Sequence, residues 1–364
     1  MRPKRIRTIG QLSLFHQPPV RTENLFRPPA APFTPTPSPQ TREENDESPA
    51  AGTLPGEAPT SSPKPPASGP HIPLSASVLG SGSGGNSTVV RFGNDAFLID
   101  AGFGPRTTND RLKQLGLTVR DIKAVCLTHL DQDHFRPIWV RTLSEHGIRL
   151  FLHRWHRRHL DRVEGSEMLH QANLVHFFEN DAFTPVEQAG LAITTVRLPH
   201  DDKGTSAFHV QTPHARLGYA TDLGHVPDAM IDSFAGVDVL MLESNYDPQM
   251  QLTSSRPVFL KKRIMGDHGH LSNEQALDAC RRIADRSAQG NPQRIVLLHR
   301  SAQCNTAELV RRTFEQDARF ADRIVITQQR RKTPWIDVRP LEATKREQMG
   351  MFAPPTRASR CEAD

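Results

Sequence analysis

The run Thr128-His129-Leu130-Asp131-Gln132-Asp133-His134 places four potential metal ligands within six residues. It directly follows the apolar stretch at residues 124–127, which is short and aliphatic and therefore predicts a buried strand. Imidazole and carboxylate groups at this density, on a loop that leaves a strand, are typical of a metal site. A solvated loop with unrelated side chains is the alternative, and we favour the metal site.

Further polar residues follow other predicted strands: His200, Asp222, Glu243 and His299. Any one of them alone would more often be a hydrogen-bonded structural group. Because strand ends at one edge of a sheet converge, His200, Asp222 and His299 are predicted to complete the ligand set. Glu243, Asn245 and Asp247 are predicted either to orient ligand histidines or only to support their own loop.

The rest of the pattern predicts many strands with helices inserted at intervals. Strands are expected at residues 75–79, 87–92, 96–100, 124–127, 148–152, 174–178, 191–198, 205–211, 217–221, 237–242, 294–298 and 323–326. One helix is expected to be capped by Thr107 or Thr108 and to end at Gly116, and another to begin with a capping box of Ser272 and Gln275. This order fits an α/β (α+β) fold of two packed sheets with helices on both outer faces.

Composition divides the chain into three segments. Residues 1–73 hold 17 of the 30 prolines and show almost no apolar periodicity, which predicts a disordered, proline-rich leader. The folded domain is expected at residues 74–338, and residues 339–364 are predicted to form a charged, flexible tail.

The sequence gives no indication of export or of a membrane anchor. No apolar stretch of signal-peptide length follows the basic start, and none approaches the roughly 20 residues of a membrane helix. The four cysteines show no paired spacing, which suits a reducing compartment and argues against disulfides or a thiolate zinc site. A cytoplasmic location is therefore predicted.

The formal charge of +5 and the isoelectric point near 9.2 make the chain mildly basic. Basic residues cluster at 261–263, 281–282, 311–312 and 330–332. Such clusters usually form solvated helix faces, and attraction to a polyanion such as nucleic acid is the second interpretation.

Several ordered motifs make the chain resemble the metallo-β-lactamase superfamily, and within it the YycJ-type (WalJ-like) branch. They are VLGSGSGGNS at 78–87, LIDAG at 98–102, the 128–134 run, ATDLG at 220–224, LESN at 242–245 and GDHGHLSN at 266–273. The resemblance covers about residues 75–306. It implies a four-layer αββα sandwich of the metallo-β-lactamase type, a two-metal hydrolase site, and phosphodiesterase or nuclease activity with a DNA-related role.

The resemblance also implies a distribution of ligands. His129, Asp131 and His200 would hold the first metal ion, Asp133, His134 and His299 the second, and Asp222 would bridge the two. Asp131 departs from the family pattern, which has histidine at this position. An anionic oxygen ligand favours harder ions, so Mn²⁺ and Fe²⁺ compete with the expected Zn²⁺, and occupancy of the first position is open.

Three residues are candidates for catalysis. Two cations would activate water and neutralise charge on a phosphoryl or carbonyl oxygen, and Asp133 is predicted to orient the attacking water or take its proton. His268 and His270 are predicted to bind substrate phosphate or to protonate the leaving group, with a purely structural role as the alternative.

Two other patterns suggest sites that we discount. Residues 80–85 match the glycine pattern of dinucleotide-binding loops, but a strand rather than a helix is predicted to follow. His153, His156 and His159 alternate with arginines, and steps of three indicate a solvated helix face rather than a metal site.

The sequence thus predicts a metal-dependent hydrolase that cleaves phosphodiester bonds in DNA or RNA. A thioester or lactone hydrolase is the second enzymatic hypothesis, because the same activated water attacks carbonyl groups. A third hypothesis is a metal-poor nucleic-acid-binding or assembly protein whose leader docks a partner. The sequence does not indicate an oligomeric state.

Overall fold

Thirteen strands in two sheets form the centre of the described structure. A computed structural model describes residues 72–287 and 292–340, so nearly all of the predicted leader and tail lies outside the described residues. The strands are β1 (Leu74–Gly80), β2 (Ser87–Phe92), β3 (Asp95–Ile99), β4 (Ile122–Cys126), β5 (Arg149–His153), β6 (Val175–Phe178), β7 (Ala192–Leu198), β8 (Thr205–Gln211), β9 (Arg216–Ala220), β10 (Val239–Glu243), β11 (Arg294–Leu298), β12 (Ile324–Ile326) and β13 (Ile336–Val338).

The first sheet has the strand order β13-β1-β2-β3-β4-β5-β6, and the second has the order β12-β11-β10-β9-β8-β7. In the first sheet, β1 to β3 form an antiparallel meander, and β3 to β6 run parallel. In the second, β7 to β9 are antiparallel, and β9 to β12 are parallel. Each sheet therefore combines an antiparallel edge with a parallel half.

Nine α-helices are present in the described residues. They are α1 (Pro105–Lys113), α2 (Trp139–His146), α3 (Arg157–Leu160), α4 (Ser166–Gln171), α5 (Asp228–Ser233), α6 (Pro248–Thr253), α7 (Val258–Met265), α8 (Asn273–Asp285) and α9 (Ala307–Phe314). None of the helices in the described ranges is long and apolar enough to span a membrane.

Successive side chains on a strand point to opposite faces of the sheet, and this alternation produces the layers. On β4, Ala124 and Cys126 face the core between the sheets, whereas Val125 packs in a separate core with helices α1, α2 and α4. On β10, Met241 faces the core between the sheets, and Leu240 packs with α5, α8 and α9. Three apolar cores separate four layers, so the predicted αββα sandwich is confirmed.

The beginning of α1 differs from the prediction. The helix is capped by Gly104 and begins at Pro105, and Thr108 is a buried residue within it. Proline is well suited to the first helical position because its missing N–H has no intrahelical acceptor there. The capping box of Ser272 and Gln275 at the start of α8 is confirmed.

Candidate metal centre

The loops that follow four strands bring the seven predicted ligands together. The loop after β4 carries the 128–134 run, and the loops after β7, β9 and β11 carry one ligand each. Two sets of ligand atoms each lie within 4.8 Å of one another, and we name them the outer ligand group (His129, Asp131 and His200) and the inner ligand group (Asp133, His134 and His299). A carboxylate oxygen of Asp222 lies within 4.8 Å of a ring nitrogen of His129, in the outer group, and of His134, in the inner group.

All four imidazoles engage Nδ1 with the surrounding protein. Nδ1 of His134 is 2.7 Å from Asp100, and Nδ1 of His299 is 2.9 Å from Glu243. Nδ1 of His200 is 3.0 Å from the carbonyl oxygen of Gly269, and Nδ1 of His129 is 2.9 Å from the hydroxyl of Thr128. Carboxylates and carbonyls only accept, and the Thr128 hydroxyl donates its own hydrogen to Asp100. These partners therefore place the hydrogen on Nδ1 and leave the Nε2 lone pair for a metal ion.

Asp100 is the main support of the inner ligand group. Its carboxylate is fully buried and accepts hydrogen bonds from the backbone amide of Thr128 (2.8 Å) and from the Thr128 hydroxyl (3.0 Å). The side-chain amide of Asn86 lies 3.0 Å from Nε2 of His134. Sequence reasoning quoted Asp100, Thr128 and Asn86 only as parts of motifs and assigned them no role. The position of Asp100 directly after a strand was the available signal.

Glu243 supports His299 and His270 together. Its Oε1 atom is 2.9 Å from Nδ1 of His299 and 2.8 Å from Nδ1 of His270, and its Oε2 atom accepts from the amide of Leu223 (3.1 Å). Glu243 therefore contacts one predicted ligand histidine, His299, as the first of its two predicted roles requires.

Asn245 and Asp247 have different structural roles. The amide of Asn245 donates to the backbone carbonyl of His299 (2.7 Å), so it holds the loop that carries this ligand. The carboxylate of Asp247 accepts from the amide of Met250 and caps α6, which is the structural alternative.

The charges of the centre suit divalent cations. Burial, aided by His134, holds the pKa of His129 well below its usual range, so this ring is neutral. Burial would raise the pKa of Asp222, but His299 and His134 hold it well below the usual range. Nε2 of His299 is buried and makes no hydrogen bond within the described residues, although the Asp133 carboxylate is 3.4 Å away. An unsatisfied nitrogen among carboxylates fits a bound cation.

Backbone strain also concentrates at the centre. Asp100, Asp222 and His299 have φ angles of 61°, 55° and 49°, in the left-handed region that favours glycine. Strained residues persist where the surrounding structure holds them, and they cluster at functional sites. A close backbone approach adds to this, because a Cβ atom at Gly102 would lie 1.8 Å from the carbonyl oxygen of Asp133.

Asp131 is the least enclosed ligand. Its side chain is 56% exposed, whereas that of His129 is 4% exposed, and 3.8 Å separates its Oδ2 from Nε2 of His129. The carboxylate can therefore reach a metal ion but is not fixed in place by the protein.

The two remaining catalytic candidates, His270 and His268, differ in their position relative to the cavity. His270 lines the cavity over the centre, and its Nδ1 lies 3.2 Å from Asp222 as well as 2.8 Å from Glu243. Burial would lower the pKa of His270, but Glu243 and Asp222 raise it to about 9. His268 is exposed, and its backbone carbonyl accepts from the amide of Asp201 (3.0 Å). The side chain of His268 does not line this cavity.

The glycine-rich loop between β1 and β2 belongs to the centre. The Ser81 hydroxyl accepts from the amide of His299 (2.8 Å) and donates to Asn86 (2.8 Å). Ser83 lines the cavity. As predicted, a strand rather than a helix follows the loop, so it lacks the helix N-terminus of a dinucleotide site.

A cavity of about 440 Å³ opens over both ligand groups. One wall carries Arg256, and its guanidinium donates to the side chains of Gln303 (3.1 Å), Gln251 (3.1 Å) and Ser301 (3.4 Å). Arg263 also lines the cavity and pairs with Asp201 at 2.5 Å. Sequence reasoning missed Arg256, since nothing in its local sequence distinguishes it from other surface arginines.

The prediction of a solvated helix face for His153, His156 and His159 is wrong for two of the three. His153 ends β5 and His156 lies in a short 3₁₀ turn, and both are buried. The periodicity failed because strand, turn and helix succeed one another within seven residues. Neither residue belongs to a group of potential ligands in the described part of the chain.

The two packed sheets, the outer helices and the histidine-carboxylate centre at the strand ends define a metallo-β-lactamase-fold hydrolase, a class that works with divalent metal ions. Comparison with family models gives the same result. The model of the beta-lactamase superfamily domain matches residues 96–299, and the chain belongs to this family.

Curated relatives and solved structures agree with this assignment. The chain is 27% identical over 243 residues to "Exodeoxyribonuclease YycJ" of Bacillus anthracis, covering 67% of this chain and 88% of the relative. It is 26% identical over 255 residues to "Exodeoxyribonuclease WalJ" of Streptococcus pneumoniae, covering 69% and 91%. The crystal structure of the metallo-beta-lactamase fold protein YhfI from Bacillus subtilis matches with a TM-score of 0.53 at 14% identity, covering 73% of this chain and 99% of that one. The predicted resemblance to the YycJ-type branch is thereby confirmed.

Proposed function

We propose that the chain is a metal-dependent nuclease that hydrolyses phosphodiester bonds in nucleic acid. The observation that carries the proposal is the combination of seven convergent ligands with a cavity whose wall presents Arg256, a cation that suits a phosphate. Both curated relatives are named exodeoxyribonucleases, which supports cleavage at DNA ends.

The inner and outer ligand groups, together with Asp222, would hold two divalent cations. Zn²⁺ suits the four imidazoles, and the carboxylate of Asp131 admits Mn²⁺ or Fe²⁺. When bound, such cations lower the pKa of water and neutralise charge on the phosphoryl oxygens.

We propose that Asp133 orients the attacking water and accepts its proton. Its side chain is 26% exposed toward the cavity, and Asn86 lies 3.3 Å from Oδ2. A carboxylate that is held by an amide yet open to the cavity can orient water and accept its proton.

We assign protonation of the leaving group to His270 rather than to His268. The carboxylate of Glu243 fixes Nδ1 of His270, so Nε2 is the ring atom available to a substrate oxygen. His268 lacks this support, and its exposed side chain lies away from the cavity lining.

Hydrolysis of a bis-aryl phosphodiester and of end-labelled DNA by purified protein supplied with Zn²⁺ or Mn²⁺ tests the proposal. Asp133→Asn and Asp222→Asn should abolish both activities. Asparagine is the better replacement at 222 because it tolerates the left-handed backbone there. Activity that survives both substitutions contradicts the proposal.

Two further measurements separate the other hypotheses. Thioester and lactone substrates in the same assay distinguish a carbonyl hydrolase from a phosphodiesterase. Elemental analysis distinguishes an enzyme from a metal-poor binding protein, because we expect two ions per chain.

A further inference from the structure

Helix α7 stands at the cavity mouth without entering the core. None of its eight residues is buried, although Leu260, Arg263 and Ile264 line the cavity on one face. Its opposite face, which includes Val258, Phe259 and Lys262, is open to solvent. A helix that contributes nothing to the apolar cores while bordering the site is suited to contact with substrate.

The open face is unusually apolar. Among the described residues, five large apolar side chains are exposed, and three of them, Leu252, Val258 and Phe259, belong to α6 and α7. Phe259 is 74% exposed and lies three residues before Lys262, so the two side chains are neighbours on the open face of the helix. An exposed apolar patch beside an active site marks a binding surface.

Arg256 differs from the basic cluster on α8 in the partners of its charge. Arg281 and Arg282 on α8 pair with Asp317 and Asp228. By contrast, the three hydrogen-bond partners of Arg256 are uncharged side chains, so these contacts leave its positive charge uncompensated.

We propose that Arg256, Phe259 and Lys262 form a platform for the unpaired end of a nucleic-acid strand, in which a base stacks on Phe259 and Arg256 binds an adjacent phosphate. The proposal rests on the nuclease function proposed above and specifies the form of its substrate. Aromatic rings interleaved with basic residues are the usual means of binding single strands.

An unpaired strand fits better than a duplex for two reasons. Stacking on Phe259 requires an accessible base face, which base pairs inside a duplex do not offer. The cavity of about 440 Å³ is also of the size typical of small-molecule sites, so it admits the end of one strand.

Binding of a fluorescent single-stranded oligodeoxynucleotide by the full chain, measured by anisotropy with EDTA present, tests the platform without hydrolysis. Phe259→Leu keeps an apolar side chain but removes the ring, and Kd should rise by roughly ten- to a hundredfold. Phe259→Trp should bind at least as tightly as the unmodified chain. Met168→Ala, which changes an exposed apolar residue on α4, is the matched control and should leave Kd unchanged.

Salt dependence tests the phosphate contact separately. Arg256→Gln should reduce the slope of log Kd against log salt concentration by about one, whereas Phe259→Leu should shift Kd at every salt concentration and keep the slope. Arg311→Gln on α9, which changes an exposed arginine away from the cavity lining, is the control.

Two outcomes would overturn the platform. One is equal affinity for an abasic strand of the same length, which means that no base is stacked. The other is self-association in sedimentation that Phe259→Leu abolishes while Kd stays unchanged, which means that the patch binds a second copy of the chain. Failure of the nuclease proposal gives a different result, namely normal strand binding in EDTA with no cleavage in any metal.

Discussion

The inner and outer ligand groups contain the same kinds of residue but are built differently. In the inner group, the His134 side chain is fully buried, and Asp100, Asn86 and Glu243 hold its two histidines. In the outer group, a hydroxyl and a backbone carbonyl orient the histidines, and the Asp131 side chain is 56% exposed. Buried carboxylates support the histidines of one group, and the other group retains an exposed ligand.

This difference indicates how the chain divides selectivity between the two positions. A preorganised ligand set binds tightly because little ordering is required when the ion enters. An exposed carboxylate adapts to ions of different size and hardness. We therefore expect the inner position to bind a metal ion more tightly and the outer position to determine which ion completes the centre.

Removal of one histidine from each group should give the largest effects and the clearest contrast. His134→Gln should lose nearly all bound metal and activity, because His134 also adjoins Asp222, which both groups share. His129→Gln should lose activity but retain about one ion per chain. Elemental analysis after gel filtration and phosphodiesterase assays measure both. Equal metal loss in the two variants would show that the inner position does not bind a metal ion more tightly than the outer position.

Removal of the supporting side chains should have the next largest effects. Asp100→Asn should weaken metal binding at the inner position by about 10–100-fold, because it removes the anionic acceptor behind His134. Thr128→Val should weaken metal binding at both positions, and less strongly, because the Thr128 hydroxyl contacts His129 of the outer group and also donates to Asp100 behind the inner group. Competition with a zinc chelator measures both, and a larger effect of Thr128→Val would contradict the assigned order.

Restoring histidine, the residue of the family pattern, at position 131 should reduce the difference in zinc affinity between the inner and outer positions. Asp131→His replaces an exposed oxygen ligand by a nitrogen ligand, and zinc affinity at the outer position should rise by on the order of tenfold while preference for Mn²⁺ falls. Asp131→Ala is the control and should lower the outer affinity. Unchanged metal preference in Asp131→His would show that Asp131 is not a ligand.

The smallest effects should come from hydroxyls that contact the two groups. Ser81→Ala leaves the buried amide of His299 without its acceptor and should lower the free energy of unfolding by about 1–3 kcal/mol. Thr205→Val removes only a 3.4 Å contact to His129 and should cost less than about 1 kcal/mol. Denaturation of metal-free protein measures both, and a larger cost for Thr205→Val would reverse the comparison.

The positions of the ligands could be predicted because strand periodicity is local. Apolar runs ending in His200, Asp222 and His299 indicate strands, and parallel strand ends meet at one edge. The supporting contacts could not be predicted in the same way. Asp100 and His134 are 34 residues apart, and their hydrogen bond depends on the register of β3 beside β4.

The errors have similar physical causes. The caps assigned to Thr107 and Thr108 overlooked that Pro105 begins a helix without needing a side-chain cap. The solvated face assigned to His153 and His156 assumed one continuous helix across a strand end. Arg256 could not be recognised because the neutrality of its partners is a property of tertiary structure.

The left-handed backbone at Asp100, Asp222 and His299 also has a consequence for how the chain evolves. Each of these side chains imposes a conformational cost of about 1–2 kcal/mol that glycine would avoid. A variant library sorted only for folding should therefore accept glycine more readily than alanine at these three positions, whereas a library sorted for hydrolysis should exclude both. Comparing the two libraries would identify the residues of the centre from sequence data alone, without knowledge of the metal ion or the substrate.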